Sequence, residues 1–592
     1  MAQPHRIQIE DVSPQVNCGR HPAKRTLGGT VEVSATVFRD GHDVLGAAVR
    51  HRPKGSPAWQ EAPLALLGDD RFAGGFVPDS LGLWEFQVVA WTDRIASWQD
   101  ELRRRLEGGQ EDLQGELAEG ALLLGRETLT VEEGLAAPPG DRRDPAASAV
   151  YELDVDRERA AAGAWYELFP RSFGGFAGVA AVLPELAALG FDVVYLAPIH
   201  PIGRTNRKGR SGALVAGSGD PGSPWAIGAE EGGHTAVHPG LGTLDDFDAL
   251  VAAARAHGLE LALDFAIQCS PDHPWLTEHP EWFHRRPDGT IRYAENPPKR
   301  YQDIVNVDWE CEDRQGLWEA LRDVVLFWVA RGVKVFRVDN PHTKPLPFWE
   351  WLIREVRSAD EEVVFLAEAF TRPVPMLALA RAGFSQSYTY FTWKNTKAEL
   401  VELIEQLRSW ADVYRPNFFA NTPDILHAYL QRGGRPAFEA RLVLAATLSP
   451  SYGIYSGFEH CENVPLEDGS EEYLDSEKYE LKERRLDGPL LPLVRRLNEA
   501  RRAEPSLRRL ELVFLETESE HLLGYVKGDV VCVVNLDPFA AHDGAVIVPA
   551  ELGLPAVFAA SDLLSESRFE WRTGRNLVRL GPGQSHVLKV EV

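Results

Sequence analysis

Apolar segments of strand length recur from about residue 164 onward and alternate with segments of helical periodicity. The strand candidates are 165–169, 193–197, 259–265, 333–338, 363–367, 387–391, 417–420 and 453–456. Eight strands separated by helices are typical of a closed (β/α)8 barrel. An open, doubly wound sheet is the alternative, but no glycine-rich phosphate fingerprint follows the first strand. The pattern therefore predicts an α/β protein built on a (β/α)8 TIM barrel.

The segments on either side of this pattern contain short strands separated by Gly, Pro and Asp. They predict an N-terminal β-sandwich over 1–96 and, after a helical hairpin and linker over 97–148, the barrel over 149–506. A second run of strand candidates predicts a C-terminal β-sandwich over 507–592. One connection within the barrel, about 268–308, is too long for a plain loop. We expect it to form a small lid over the barrel mouth.

The composition of this 592-residue chain argues against several kinds of partner. A formal net charge of −26 disfavours nucleic acid and anionic membranes. No apolar run approaches membrane length, and the first residues lack the apolar core of a signal peptide. The five cysteines are scattered without metal-ligand spacing, which indicates a reducing compartment. We therefore expect a soluble, cytoplasmic protein without a metal ion or cofactor.

Charged residues lie at the carboxyl ends of the predicted strands, where barrel enzymes place their active sites. Arg337 and Asp339 end one strand two residues apart, so their side chains share a face. Glu368 ends the next strand, Asp264 an earlier one, and Asp424 follows a later one. A single carboxylate here could be a structural partner of the arginine. Several on one rim indicate an active site, and two neighbouring carboxyl groups suit glycosidic bond chemistry.

Four short segments carry these residues and resemble the conserved regions of the α-amylase superfamily. The segments are 263–265 (LDF), 336–339 (FRVD), 367–368 (AE) and 419–424 (FANTPD). The resemblance implies Asp339 as nucleophile, Glu368 as general acid/base and Asp424 as the carboxylate that stabilises the transition state. Arg337 would hold Asp339 ionised and oriented. The expected course is retaining, with the carboxyl groups of Asp339 and Glu368 ~5–5.5 Å apart.

Several loop segments are similar to a more specific family, the α-1,4-glucan:maltose-1-phosphate maltosyltransferases. These segments are 223–228 (SPWAIG), 268–275 (QCSPDHPW), 295–299 (ENPPK), 339–345 (DNPHTKP) and 473–479 (YLDSEKY). The resemblance implies transfer of maltosyl units from α-maltose 1-phosphate to the non-reducing end of an α-1,4-glucan, with release of phosphate, in the synthesis of glycogen-type polymers. It also implies a homodimer.

The same resemblance implies which residues bind the donor. A phosphate leaving group needs cations and hydrogen-bond donors near the general acid, and a chain of this negative charge needs a local basic pocket for it. The implied phosphate ligands are Asn296, Lys299, Tyr301 and Asn340. The implied sugar contacts are Lys208, Gln268 and Lys478.

Two other functions stay open at this point. One is an α-glucan hydrolase or ordinary transglycosylase that acts without phosphate. The other, from a different class, is a catalytically inactive glucan-binding or scaffold protein built on the same barrel. The presence of Asp339, Glu368 and Asp424 argues against the inactive protein, and the implied phosphate ligands argue against the hydrolase.

Overall fold

The structure is a computed structural model that describes residues 5–296 and 299–591, without the side chains of Asn296 and Lys299. The chain forms two compact units, Met1–Arg157 and Glu158–Val592, each of which is described by itself. The candidate catalytic residues all lie in the second unit.

The first unit is a nine-stranded sheet with the strand order β1-β3-β6-β5-β4-β7-β9-β2, and β8 pairs with β7. Its strands are β1 (Gln8–Ser13), β2 (Ala23–Thr26), β3 (Val31–Phe38), β4 (Leu45–Pro53), β5 (Gln60–Gly68), β6 (Arg71–Phe76), β7 (Gly82–Asp93), β8 (Arg142–Ala147) and β9 (Tyr151–Asp156). In β3 buried and less buried residues alternate, so one face of the strand supplies the core. A β-rich N-terminal region is thus confirmed.

Three helices follow β7 in this unit: α1 (Arg94–Glu107), α2 (Gln114–Leu123) and α3 (Val131–Ala136). Trp98 of α1 is buried and donates from Nε1 to the Glu116 carbonyl at 2.8 Å, which joins α1 to α2. The predicted linker is wrong at its end, because 142–147 form β8. Backbone pairing with β7 and burial of Ala146 hold this Gly- and Pro-flanked segment in the sheet.

The second unit contains a closed barrel of eight parallel strands, which confirms the predicted barrel. Its strands, in order around the barrel, are β10 (Gly163–Leu168), β11 (Val193–Leu196), β12 (Glu260–Phe265), β15 (Val335–Val338), β16 (Val364–Ala367), β17 (Gln386–Tyr388), β18 (Pro416–Phe419) and β19 (Ser451–Tyr455). Parallel pairing of β10 with β19 closes the ring. Each strand corresponds to one of the eight sequence candidates.

The helices of this unit connect successive barrel strands or lie at the ends of the barrel. They are α4 (Glu158–Ala161), α5 (Gly175–Ala188), α6 (Leu244–Ala256), α7 (Trp275–Glu278), α8 (Arg314–Ala330), α9 (Leu346–Ala359), α10 (Pro373–Arg381), α11 (Lys397–Ser409), α12 (Ala428–Leu448) and α13 (Leu491–Ala503). Capping boxes begin α6 at Thr243 and α11 at Thr396, so the amino ends of these helices are set by local sequence.

The long connection at 268–308 contains α7 and a hairpin of β13 (Tyr293–Asn296) and β14 (Lys299–Val305). The hairpin returns to the barrel through backbone hydrogen bonds between Cys269 and Val305 in both directions, at 2.7 and 3.0 Å. These bonds fix both ends of the lid segment next to the carboxyl end of β12.

The C-terminal strands form an eight-stranded arrangement with the order β25-β24-β27-β22-β21-β20-β23-β26. The strands are β20 (Val513–Thr517), β21 (Leu522–Lys527), β22 (Val530–Asn535), β23 (His542–Val548), β24 (Val557–Asp562), β25 (Arg568–Arg572), β26 (Gly574–Leu580) and β27 (Ser585–Glu591). Strand β20 pairs with β21 in one sheet and with β23 in the other. Apolar residues from both sheets, including Val533, Val546 and Leu588, form the core between them.

Within the described part of the chain, we find no helix with the length and apolar character required to cross a lipid bilayer.

A tight contact between two neighbouring barrel strands yields a stability prediction. A Cβ atom added to Gly453 of β19 would lie 2.5 Å from the ring of Phe419, which is buried in β18. We expect Gly453→Ala to destabilise the catalytic unit by about 1–3 kcal/mol because the core has no room for it. Urea denaturation followed by tryptophan fluorescence measures the effect. Gly115→Ala, in an exposed part of α2 with open space, is the control and should be neutral or stabilising.

Candidate active site

The inward-facing residues of the barrel change from apolar to charged toward the carboxyl ends of the strands. Side chains two residues apart on a strand share a face, so each inward position continues the one before it. In β15 the series is Val335, Arg337 and Asp339, and in β16 it leads from Leu366 to Glu368. The apolar lower layer contains Trp165, Val193, Ala262, Val335 and Val364. The charged layer therefore lies at the barrel mouth.

Arg337 is the centre of this layer and is only 4% exposed. Its Nη1 donates to Asp264 Oδ2 at 2.9 Å and to Asp339 Oδ1 at 3.0 Å, and its Nη2 lies 2.5 Å from Glu368 Oε1. One guanidinium group thus binds three carboxyl groups from three neighbouring strands. The structure brings together the predicted residues Arg337, Asp339 and Glu368 in a single buried cluster.

Asp264 is fixed beneath the cluster by three donors on one oxygen. Tyr195 Oη and Trp225 Nε1 donate to Oδ2 at 2.5 and 3.3 Å, in addition to Arg337. Burial raises the pKa of Asp264 to about 6, although Arg337 opposes the shift. Asp264 is therefore a buried support for Arg337 rather than a group open to a ligand.

Asp339 is held as a carboxylate by nearby cations. Burial raises its pKa, but Arg337 and Lys344 outweigh burial, so that the pKa of Asp339 falls below its usual value. Lys344 Nζ donates to the carbonyl oxygens of Asp339 and Asn340, each at 3.1 Å. Asn340 has a left-handed φ of 42° and its Nδ2 lies 3.4 Å from Asp339 Oδ1. The backbone after the strand is thus arranged around the carboxylate.

Glu368 has the opposite electrostatic character. Burial and the neighbouring charges of Asp339, Asp424 and Asp264 raise its pKa well above the usual value, against the effect of Arg337. Its Oε1 contacts Arg337, whereas its Oε2 is buried and has no hydrogen-bond partner among the described residues. Their surroundings thus favour the ionised form of one carboxyl group and the protonated form of its neighbour, which is the arrangement that a nucleophile and a general acid require.

Asp424 lies on the loop after β18 and is partly open, with 44% of its side chain exposed. Lys478 Nζ forms an ion pair with its Oδ1. Asn421 joins the two segments, because its Nδ2 donates to Tyr473 Oη at 2.8 Å. Asp424 and Lys478 therefore form one polar pair at the rim, as expected if both bind hydroxyl groups of a sugar.

Lys208 approaches the same region from the loop after β11. It is 4% exposed, and its Nζ donates to the Arg300 carbonyl at 3.2 Å on lid strand β14. Asp303 of the same strand is buried, and its pKa is raised by burial and lowered in part by Lys208 and Lys478. Two predicted sugar-binding lysines thus lie close enough to a buried lid carboxyl group to lower its pKa. This carboxyl group offers a further acceptor for sugar hydroxyls.

The remaining predicted ligands lie on or near the lid. Gln268 follows β12, and its Nε2 lies 3.4 Å from the Trp225 carbonyl. Tyr301 is on β14 and is partly buried. The side chains of Asn296 and Lys299 lie outside the described part of the structure, so their assignment to phosphate stays a prediction.

Several residues of the site were missed or not singled out from the sequence. Lys344 and Asp303 lie in segments that were predicted only as a family motif and as part of the lid, and the fold shows that both residues are near the site. The sequence identified Glu167 and Tyr195 only as members of predicted strands. Glu167 faces inward two residues after Trp165, and burial raises its pKa well above the usual value. Period-two alternation along β10 is the signal that could have found it.

A buried histidine cluster lies at the base of the lid. His234, Cys269 and His273 offer ligand atoms within 4.8 Å of one another. However, His273 Nδ1 accepts from Trp275 N at 3.1 Å, and its Nε2 lies 3.0 Å from His234 Nδ1. His234 Nε2 in turn lies 3.0 Å from the Ala266 carbonyl. Each ring nitrogen has a hydrogen-bond partner, so the cluster is explained as a neutral network that fixes the lid.

The raised pKa of Glu368 predicts a pH-dependent stability difference. A glutamate in the unfolded chain ionises above its usual pKa of about 4.3, whereas the native state keeps Glu368 protonated to a higher pH, so the native state loses stability as pH rises from the unfolded pKa toward the native one. Glu368→Gln lacks this penalty and can still accept from Arg337. We expect the variant to gain stability relative to the original chain by about 1.4 kcal/mol per pH unit from pH 5 toward the native pKa.

Thermal denaturation of both proteins at pH 4, 5, 6 and 7 measures this difference. A constant offset between the two proteins across this range would contradict a protonated Glu368. Glu350→Gln, on the exposed side of α9, serves as a control for the loss of a carboxyl group from the surface.

The comparisons with known proteins concern the family and the fold of the chain. Family models match residues 5–167 (α-1,4-glucan:maltose-1-phosphate maltosyltransferase, domain N/S), 156–345 (α-amylase catalytic domain) and 514–590 (GLGE, C-terminal). Among solved structures, a maltogenic α-amylase from Thermotoga neapolitana matches with a TM-score of 0.59 at 19% identity, over 74% of this chain and 100% of that chain. This likeness shows the fold.

Curated relatives match over nearly the whole chain. Maltosyltransferase 2 of Streptomyces coelicolor is 50% identical over 99% of this chain and 96% of its own length. The maltosyltransferase of Pseudomonas aeruginosa is 48% identical over 98% of this chain and 95% of its own length. The maltosyltransferase of Mycolicibacterium smegmatis is 45% identical over 99% of this chain and 97% of its own length. With a buried pair of carboxyl groups on an amylase-type barrel and this extent of identity, the chain belongs to the α-1,4-glucan:maltose-1-phosphate maltosyltransferases of the α-amylase superfamily.

Proposed function

We propose that the protein transfers maltosyl units from α-maltose 1-phosphate to the non-reducing end of an α-1,4-glucan and releases phosphate, by double displacement through a covalent intermediate on Asp339. The contact of one buried arginine with the carboxyl groups of both Asp339 and Glu368, in a chain that belongs to the maltosyltransferase family, is the observation that carries this proposal. The opposite directions of their pKa shifts support Asp339 as the nucleophile and Glu368 as the acid of a retaining mechanism. The reaction would extend glycogen-type polymers.

In the first step, the Asp339 carboxylate attacks C1 of the maltosyl group. The bond from C1 to the phosphate oxygen breaks, and Glu368 gives its proton to that oxygen. Arg337 and Lys344 keep Asp339 ionised until it attacks. The unpartnered Oε2 of Glu368 is the atom suited to carry the proton, since Oε1 contacts Arg337.

In the second step, Glu368 acts as the base. It takes the proton from the 4-hydroxyl group at the non-reducing end of the acceptor, whose oxygen attacks C1 and displaces Asp339. Two inversions at C1 keep the α configuration. Phosphate can return as the acceptor through the same intermediate, so excess phosphate should release maltose 1-phosphate from glucan.

The donor would be held by the groups around the barrel mouth. Asp424 and Lys478 would bind hydroxyl groups of the sugar, with Lys208 and Gln268 on the lid side. Asn340 lies next to Asp339 and offers an amide donor to the phosphate, with Tyr301, Asn296 and Lys299 completing the implied phosphate ligands. A lid fixed to the barrel through Cys269 and Val305 would exclude water from the intermediate.

The reaction itself is tested with α-maltose 1-phosphate and maltohexaose. We expect one phosphate for each two-glucose extension, and proton NMR of the product should show new α linkages only. Shortening or scrambling of maltohexaose without phosphate release would instead indicate a hydrolase or an ordinary transglycosylase.

Light scattering on the purified protein tests the implied homodimer.

Replacement of the two carboxyl groups should have separable effects. Asp339→Asn removes the nucleophile, and we expect turnover to fall by a factor of about 10⁴ or more. Glu368→Gln should lower turnover about 10²–10⁴-fold and slow the second step, so a maltosyl adduct accumulates. Mass spectrometry of peptides from Glu368→Gln should find that adduct on Asp339. An adduct on another residue, or full activity of Asp339→Asn, would refute the assignment.

The ion pair at the rim predicts a binding defect. Lys478→Met removes a cation and hydrogen-bond donor from the sugar site while leaving Asp339 and Glu368 untouched. We expect the KM for maltose 1-phosphate to rise about tenfold, with a smaller change in kcat. Lys482→Met, four residues later and paired with Glu462, is the matched control and should leave the KM unchanged. Equal effects of the two variants would remove Lys478 from the donor site.

A further inference from the structure

A second cavity, of about 590 Å³, lies beside the active site in the catalytic unit. Its walls come from the loop after β10, the long loop between β11 and α6, and Leu481. The catalytic carboxyl groups do not line it. Phe169 on its wall packs edge-to-face on Trp225, with ring centroids 5.8 Å apart, and Trp225 contacts Asp264. This side cavity is therefore separated from the active site by one aromatic layer.

Two arginines line the side cavity, Arg171 and Arg207, and no carboxylate of the residues that the structure describes is hydrogen-bonded to either of them. Arg171 donates from Nη1 to the Gly222 carbonyl at 2.9 Å, and Nη2 donates to the Glu477 carbonyl. Its Nε is buried and has no acceptor in the described part of the chain. Arg207 donates to the carbonyls of Gly203 and Ile202 at 2.8 and 2.9 Å. Backbone carbonyls thus hold both guanidinium groups in place, and within residues 5–296 and 299–591 the acidic groups act on them only through longer-range attraction.

A histidine adds a third donor. His238 Nδ1 accepts from Gly240 N at 3.0 Å, so in the neutral ring the proton is on Nε2. Burial lowers the pKa of His238, and Arg171 and Arg207 lower it further, which shows that both cations act at this site. Asp220 is the acidic residue on the wall, and its Oδ2 already accepts from Gly217 N at 2.7 Å.

We propose that the side cavity binds a phosphate group, either as free phosphate or as a small phosphate monoester. Cations removed from water are stabilised by a bound oxyanion, and the planar guanidinium group suits a tetrahedral one. The rest of the wall is largely apolar, with Phe169, Ile202 and Leu241. That surface would accommodate the carbon skeleton of a monoester.

The site has a direct connection to the sugar-binding residues. Arg207 on the cavity side is followed by Lys208, whose Nζ faces the lid carbonyl of Arg300. The aliphatic part of Arg207 also lies against Gly222, close to the space where a Cβ atom would be. An anion bound to Arg207 would restrain the 207–222 loop and with it Lys208. The effect on donor binding rests on the proposed function, whereas anion binding does not.

Phosphate binding to the intact protein tests the inference. Isothermal titration with inorganic phosphate and, separately, glucose 6-phosphate is performed on the Asn340→Ala variant, in which the implied catalytic phosphate site is weakened. We expect this variant to retain one phosphate-binding site per chain. Adding Arg207→Gln to it should weaken that site about tenfold or more. Adding Arg354→Gln instead should leave it unchanged, because Arg354 is an exposed arginine of α9 that does not line the cavity.

The outcomes distinguish this site from the catalytic one. Binding of phosphate or of glucose 6-phosphate that is weakened by Arg207→Gln supports the proposal. The compound that binds more tightly of the two identifies the form of phosphate that the site prefers. Complete loss of binding in Asn340→Ala, or equal affinities of the Arg207→Gln and Arg354→Gln proteins, overturns it. If Arg207→Gln does not fold, hydrogen exchange on Asn340→Ala replaces it. Phosphate must then slow exchange at residues 217–222, and unchanged exchange there also overturns the proposal.

Discussion

The candidate catalytic centre depends on the contacts between the guanidinium group of Arg337 and three carboxyl groups. The guanidinium group binds Asp264, Asp339 and Glu368 in a space nearly closed to water, where an uncompensated charge would be strongly unfavourable. Arg337 and Lys344 carry fewer positive charges than the three acids would carry negative ones if all were ionised, which favours a difference in protonation among the acids. Lys344 favours ionised Asp339, and deep burial beside other acids favours protonated Glu368. The division of chemical roles follows from this shortage of positive charge.

The barrel makes this arrangement possible by alternation along its strands. Every second residue faces inward, so the positions below the charged layer are apolar and the positions above it open to the substrate. Asp264 accepts hydrogen bonds from both Tyr195 and Arg337, which fixes the position of the guanidinium group. The reacting groups can thus be buried on strands while the groups expected to select the sugar, Asp424 and Lys478, lie on longer loops at the rim.

The loops supply positive charge to a strongly acidic protein. Lys208 and Lys478 both act electrostatically on the buried Asp303, while Arg171 and Arg207 line the side cavity. Of two adjacent residues, Arg207 therefore lines the side cavity, whereas Lys208 contacts the lid at the barrel mouth. In a chain with a net charge of −26, basic residues placed in this way are a physical means to attract a phosphorylated donor without a basic surface.

The sequence by itself predicted the barrel, because apolar strand segments and the helical segments between them are local properties of the chain. It also predicted that Arg337, Asp339 and Glu368 lie together at the barrel mouth, because their two-residue spacing and their positions at strand ends can be seen in the sequence. Only the tertiary structure showed that Lys344, Tyr195 and Asp303 join the site, because their roles depend on contacts between segments distant in sequence. The same holds for β8, whose composition resembles a linker until β7 pairs with it. Electrostatic roles also required the fold, since burial and neighbouring charges set the protonation of each carboxyl group.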